Sequence, residues 1–171
     1  SINFKFSKND TKVICKFLDS HNIPFIEVGH GVGLGASNMG FGKSKETDET
    51  YIKEARRFIK KGKLGTFCIP QIAKKKDLEV AINNGIDFVR IGIDVDKYNE
   101  AEDFIKLAKK HSIFVCTNFL KTYAYDLSYF ITACKKVEEM GADLIYIVDS
   151  AGGMLEDELA KVINEYKNRI K

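Results

Sequence analysis

Hydrophobic and polar positions along the chain follow two alternating periods. From residue 8 onward, stretches with the 3.6-residue repeat of an amphipathic helix give way to short unbroken apolar runs, each preceded by a turn signal. Residues 8–20 place Val13, Ile14, Phe17 and Leu18 on one helical face, and Pro24 forbids continuation beyond His21, Asn22 and Ile23. Residues 25–29 then read as a strand. Thr47 or Asp48 can cap a helix through about Lys60 that stops at Gly62, ahead of a strand at 64–69 and Pro70. The unit recurs as a helix at 75–84 closed by Gly85 with a strand at 88–93, a helix at 99–110 with a strand at 113–117, and a helix at 126–140 closed by Gly141 with a strand at 144–148. A last helix is predicted over 156–170. Apolar strands without alternation, separated by helices, are the mark of a parallel sheet covered by helices.

Two α/β architectures share that pattern, and the placement of polar residues separates them. Every predicted strand carries polar side chains at or just past its carboxyl end: Glu27 and His30, Gln71, Arg90 and Asp94, Asn118, and Asp149 with Ser150. A doubly wound sheet would gather them at one switch point, beside a compact glycine turn that opens a helix. Here the glycine-rich loop runs about 17 residues before its helix, too long for that fingerprint. Distribution round a ring fits a (β/α) barrel better. The helix, Gly-x-Asp, strand signature at 84–87 and 141–143 fits it too. No linker interrupts the repeats, so residues 1–171 read as a single domain.

Composition excludes several function classes. With 44% hydrophobic and 30% charged residues the chain can bury a sizeable core. The net charge of +3 is spread along it, and the lysine runs at 60–61 and 74–76 have no arginine cluster or interleaved aromatics, so they read as solvated helix ends and no nucleic-acid partner is implied. No apolar run approaches the roughly 20 residues that span a bilayer, and the N-terminus has no signal-peptide pattern. Cys15, Cys68, Cys116 and Cys134 lie far apart in apolar patterns and read as small buried hydrophobes. A cytoplasmic protein with no membrane partner is expected.

The candidate chemistry concentrates at strand ends. The loop 29–42 holds six glycines, which permit close backbone approach to a small anionic substrate, although no phosphate-loop spacing is present. Glu27 lies in an otherwise apolar strand, where an ionised carboxylate needs a partner, and Arg90 is the obvious one. That pair can hold strand ends together or position substrate. His30 is the one histidine at a strand end, while His21 and His111 sit at helix ends and are expected at the surface. After the last strand, Asp149 and Ser150 precede small residues that would let a ligand near the backbone, with the Ser150 hydroxyl as a hydrogen-bond donor. A serine nucleophile is not indicated, because the segment lacks the first glycine of the nucleophile elbow.

Taken together, segments 26–37 (IEVGHGVGLGAS), 38–42 (NMGFG) and 146–155 (YIVDSAGGML) resemble the metal-dependent pyruvate aldolases and lyases of the 4-hydroxy-2-oxovalerate aldolase group, relatives of HMG-CoA lyase and isopropylmalate synthase. The resemblance covers essentially the whole chain. It implies a (β/α)8 TIM barrel that binds Mn²⁺ or Mg²⁺ and cleaves a 4-hydroxy-2-oxo acid to pyruvate and an aldehyde, the metal stabilising the pyruvate enolate. The family's Arg-Asp-Gly segment on its first strand and its His-x-His on the seventh are both absent from this sequence. The chain therefore looks like strands two to six of that barrel, one incomplete domain with the metal ligands expected outside it, although a genuinely reduced protein stays open. Within the resemblance, Ser150 and Asp149 are candidates for substrate contact, Glu27, Arg90 and Asn118 for the pocket wall, and His30 and Tyr123 for catalysis. Tyr123 stands about where the catabolic aldolases carry a histidine, which leaves the aldehyde half of the substrate open. The resemblance further implies an acylating aldehyde dehydrogenase as a partner and a homo-oligomer as a possible state. A Claisen-type acyltransferase on the same fold, and a non-catalytic half-barrel that binds a partner, are the alternatives.

Overall fold

The computed structural model describes residues 3–169. Five strands, β1 (Phe25–Glu27), β2 (Lys63–Cys68), β3 (Phe88–Asp94), β4 (Phe114–Leu120) and β5 (Leu144–Ile147), lie side by side in chain order, and every neighbouring pair is parallel. Helix α1 (Lys8–Ser20) precedes them, α2 (Asp48–Phe58), α3 (Lys75–Asn83), α4 (Glu102–Lys110) and α5 (Leu127–Met140) connect them, and α6 (Glu156–Arg169) follows. A strictly sequential parallel order has no switch point, and it is the order of a barrel wall. Residue 170, where the last helix is predicted to end, lies outside the described residues.

Local chemistry explains most boundaries. Ser7 caps α1 in a reciprocal box with Asp10, and Thr47 caps α2 by accepting from the Thr50 N–H. β1 ends at Glu27, earlier than residue 29, because Gly29 takes a φ of +133° and turns the chain into the loop. The predicted helix at 99–110 is α-helical only from Glu102, since 3-10 turns over Val95–Ala101 bury Val95 and Ala101 first. β4 runs on past Thr117 to Leu120.

The sheet has two unlike faces. On one, Leu64, Val89, Ile91, Ile93 and Val115 join Ile52, Ala55, Leu78, Ile105 and Phe130 of the helices in one buried cluster. The alternate residues, Glu27, Phe67, Arg90, Asn118 and Tyr146, share the opposite face. On this second face a Cβ at Gly65 would run into the Phe88 ring, and a Cβ at Gly92 into the Phe67 ring. Each glycine is the notch that seats an aromatic ring of a neighbouring strand.

The recurring Gly-x-Asp signature has one structural meaning. Asp87 donates its N–H to the Leu64 carbonyl (2.6 Å), and its carboxylate accepts from the Leu64 N–H (2.8 Å). Asp143 repeats the geometry on Val115, at 2.9 and 2.8 Å. Arg56 and Lys109 complete the two sites, 2.9 and 2.7 Å from the carboxylates. Each aspartate staples the start of one strand to the next.

The apolar face of α1 is only partly used: Leu18 packs half-buried against the core, Val13, Ile14 and Phe17 are 58, 42 and 60% exposed, and the helix buries Thr11, Cys15 and Asp19. The reason is placement: α1 packs chiefly on α2, beside a β1 strand that pairs on only one edge among the described residues. The cysteines are free and buried, as expected. Desolvation pushes Cys15 and Cys116 up to about 11 and Cys134 up to about 12, and it raises Cys68 as well, so all four are thiols at neutral pH. Among the described residues no helix is long and apolar enough to cross a membrane.

Candidate functional site

Three groups of polar side chains lie on the polar face of the sheet and in the loops beyond its carboxyl ends; Arg90, expected at a strand end, is instead the third of seven residues in β3. Arg90 is the centre of the first. Its Nε and Nη2 donate to the two Glu27 oxygens at 2.7 and 2.9 Å, and its Nη1 donates to Asn118 Oδ1 at 3.2 Å, so three strands are tied through one guanidinium. The Phe67 ring lies 4.7 Å from that guanidinium. The Glu27 hydrogen bonds raise the Arg90 pKa above its ordinary value, keeping the cation permanent.

The glycine-rich loop forms the second group. His30 Nδ1 accepts from the Val32 N–H (3.1 Å), so Nε2 carries the proton and donates to the Gly42 carbonyl (3.0 Å). The Phe4 ring stacks on the imidazole at 4.1 Å. Asp48, at the start of α2, accepts from the N–H groups of His30 (3.3 Å) and Gly35 (2.9 Å). Beneath the loop lies a cavity of about 340 Å³ lined by Phe6, Ile14, Cys15, Glu27, His30 and Tyr51 among others.

The third group closes the ends of β3, β4 and β5. Lys121 takes a left-handed conformation (φ 52°, ψ 40°) that turns the chain at the end of β4. Its N–H donates to Ser150 Oγ at 3.2 Å, and its ammonium stands 3.3 Å from Asp94 Oδ1. Thr122 anchors the same turn by donating to the Val148 carbonyl (2.8 Å). Asp149 accepts from the Met154 N–H (2.8 Å), and that bond leads a set of backbone donors that hold its carboxyl below the ordinary carboxylate range.

The structure thus joins Glu27, Arg90 and Asn118 directly and places Ser150 in the adjoining group. His30 engages both ring nitrogens within its own loop. Tyr123 stands apart, 48% exposed, on a cleft of about 280 Å³ between the β4–α5 turn and α6. Gln71 turns outward to Glu100 (2.6 Å). Sequence reasoning missed Phe67, Asp48 and Lys121. A charged residue directly after a strand, level with an opposite charge on the next strand, is the signal that would have found Lys121. Among the described residues, no group of three or more His, Cys, Asp or Glu side chains could hold a metal ion, so the residues present do not fit a metal centre by themselves.

Comparison with known proteins extends this picture. The chain is 31% identical over 155 residues to 4-hydroxy-2-oxovalerate aldolase 2 of Rhodococcus jostii, covering 91% of this chain and 45% of that protein. It is 27% identical over 163 residues to the oxaloacetate decarboxylase of Mycobacterium tuberculosis, covering 95% of this chain and 48% of that one. The chain spans about half the length of the curated relatives it matches. Among solved structures, the carboxyl transferase domain of Rhizobium etli pyruvate carboxylase superposes with a TM-score of 0.74 at 15% identity, over 93% of this chain and 30% of that chain. The fold is accordingly part of a (β/α)8 barrel. Since the HMGL-like family profile matches residues 1–171 from end to end, and the sequential parallel sheet is the one such a barrel requires, the chain belongs to the HMGL-like family.

Proposed function

We propose that the gene product carrying this chain is a divalent-metal-dependent lyase that cleaves a 4-hydroxy-2-oxo acid to pyruvate and an aldehyde. The observation that carries this reading is the match to 4-hydroxy-2-oxovalerate aldolases along nearly the whole chain, with Glu27 and Ser150 at or just past the carboxyl ends of their strands, where barrel enzymes place their chemistry, and with Arg90 and Asn118 joined to Glu27 on the same face of the sheet. In the retro-aldol step the C4 hydroxyl loses its proton and the C3–C4 electron pair passes into the 2-oxo group. The aldehyde leaves, and protonation at C3 releases pyruvate. Ser150, with Asp149 ordering its loop, contacts the 2-oxo acid, and the Glu27–Arg90–Asn118 network forms the wall behind it. His30 serves by holding the glycine loop in shape, because both its nitrogens are committed there. Tyr123 reaches the substrate only if its turn moves. The metal, Mn²⁺ or Mg²⁺, is held by residues outside the described ones.

The four buried thiols support a reducing, cytoplasmic setting. A homo-oligomer and an acylating aldehyde dehydrogenase as aldehyde acceptor follow from the family parallel. The test is pyruvate release from 4-hydroxy-2-oxopentanoate, measured on the complete gene product and on the 171-residue chain, with and without Mn²⁺. Metal-dependent pyruvate release by the complete product, falling about 10- to 100-fold in Ser150→Ala, is the expected result, on the scale of a lost positioned donor. No pyruvate at any metal concentration overturns the reading. Oxaloacetate belongs in the same assay, because the similarity to a decarboxylase favours loss of CO₂ as a second route to the same enolate.

A further inference from the structure

Ser150 has one hydroxyl proton, and the structure leaves it free. A backbone N–H can only donate, so in the 3.2 Å bond between Lys121 N and Ser150 Oγ the serine oxygen is the acceptor. Its own proton then has no acceptor among the described residues, and Ser150 is exposed, so a ligand arriving from solvent can take it. Accepting the N–H also polarises the O–H bond and makes it the stronger donor. Lys121 delivers that N–H from a left-handed backbone (φ 52°, ψ 40°), a conformation that costs an L-residue. Thr122, 5% exposed, holds the turn from its other side by donating to the Val148 carbonyl at 2.8 Å. Two bonds therefore tie the turn after β4 to residues 148–150, while the Lys121 ammonium is engaged elsewhere, 3.3 Å from Asp94.

We propose that Lys121 is a positioning residue for Ser150: its left-handed backbone aims an N–H at Oγ and so turns the Ser150 proton towards the 2-oxo oxygen, where negative charge develops as the carbon–carbon bond breaks. The proposal rests on the aldolase reading and deepens it. The backbone of Lys121 carries this role and its ammonium does not, which separates it from the ion pair with Asp94.

The test uses the complete gene product with Mn²⁺ and compares two substitutions that both remove the ammonium. Lys121→Gly keeps the N–H and the left-handed backbone, whereas the β-branched side chain of Lys121→Val resists that conformation and displaces the N–H. For pyruvate release from 4-hydroxy-2-oxopentanoate, kcat/KM is expected to fall about tenfold in Lys121→Val, and Lys121→Gly to recover most of that loss. In a Ser150→Ala background the two should differ by less than about twofold, because the hydroxyl they act through is gone. Equal losses in Lys121→Gly and Lys121→Val, or a gap between them that persists in Ser150→Ala, overturn the proposal and leave the aldolase reading standing. If Lys121→Val does not fold, Thr122→Val, which cuts the bond to Val148, replaces it: a loss that vanishes in Ser150→Ala supports the proposal, and one that persists overturns it. Hydrogen exchange at the Lys121 amide gives a reading that needs no turnover. Protection that Ser150→Ala abolishes is expected, and protection unchanged in that variant overturns the proposal. A product that releases no pyruvate ends the aldolase reading, and the exchange result then decides the role of Lys121 alone.

Discussion

Asp143 shows how much one side chain can organise in this fold. Its carboxylate accepts the N–H of Val115, a fully buried residue on β4, and holds Lys109 of α4 as well. Asp143→Ala leaves that strand N–H with no acceptor, and we expect a loss of about 1–3 kcal/mol in denaturant unfolding. Asp143→Asn keeps an acceptor oxygen and loses only the Lys109 ion pair, so its cost should stay under about 1 kcal/mol. Equal losses in the two variants would show that charge matters here and the strand bond does not. Asp19 makes a different prediction. The N–H groups of Gly62 (2.8 Å) and Lys61 (2.9 Å) donate to its Oδ1, and these bonds, Gly62 first, lower its pKa in the folded chain. A folded-state pKa below the unfolded one adds stability that is complete above the ordinary value near 4 and lost as pH falls through the depressed value. Unfolding midpoints should therefore drop as the pH falls below about 4, and Asp19→Asn should flatten that acid limb while leaving the slope near pH 7 unchanged.

At the scale of elements, the notches in β2 and β3 decide how the polar face is built. Gly92 gives space to Phe67, and Phe67 in turn supports Arg90 at 4.7 Å. Gly92→Ala forces a ring that is stacked and cannot swing freely, so an overpacking cost of about 1–3 kcal/mol is expected. The Arg90 Nε resonance should shift with it, because the platform moves; an unshifted resonance in a destabilised variant would detach Phe67 from the site. The elements themselves were legible in the chain because propensity, caps and burial agree. Ser7 and Pro24 bracket α1, Gly85 and Gly141 close α3 and α5, and apolar runs mark every strand. The misreadings have physical causes. Periodicity reveals that α1 owns an apolar face but cannot say how much of it is covered, and of that face Leu18 alone packs on the core among the described residues, beside Thr11, Cys15 and Asp19. The Glu27–Arg90 pair was readable because opposite charges inside apolar strands must meet, whereas Lys121 looked like any exposed lysine after a strand. Asp48 looked like a cap, a role that Thr47 fills while Asp48 gathers the glycine loop.

For the whole molecule, the unlike faces of the sheet set the question of closure. Phe25, Phe114, Leu144 and Tyr146 on the polar-and-aromatic face are 56, 40, 43 and 42% exposed, and Val13 and Phe17 of α1 are 58 and 60% exposed. β1 and β5 each pair on one side only among the described residues. Sheet edges and apolar area of this kind are satisfied by further strands in a closed barrel, and the curated relatives are about twice the length of this chain. A chain left with both edges free has one other way to cover them, which is to pair with copies of itself. The 171-residue chain on its own should therefore elute well above its 19.3 kDa mass in light-scattering chromatography, with the apparent mass rising with concentration, and should enhance the fluorescence of a dye that binds apolar surface. Charge at the edge should reverse this: Phe25→Lys, on β1 and already more than half exposed, removes apolar contact without touching the helix-covered core and is expected to lower the apparent mass. A strictly monomeric chain that binds no dye would mean that these exposed side chains are satisfied within the segment, and the open-barrel account of its surface would then be wrong.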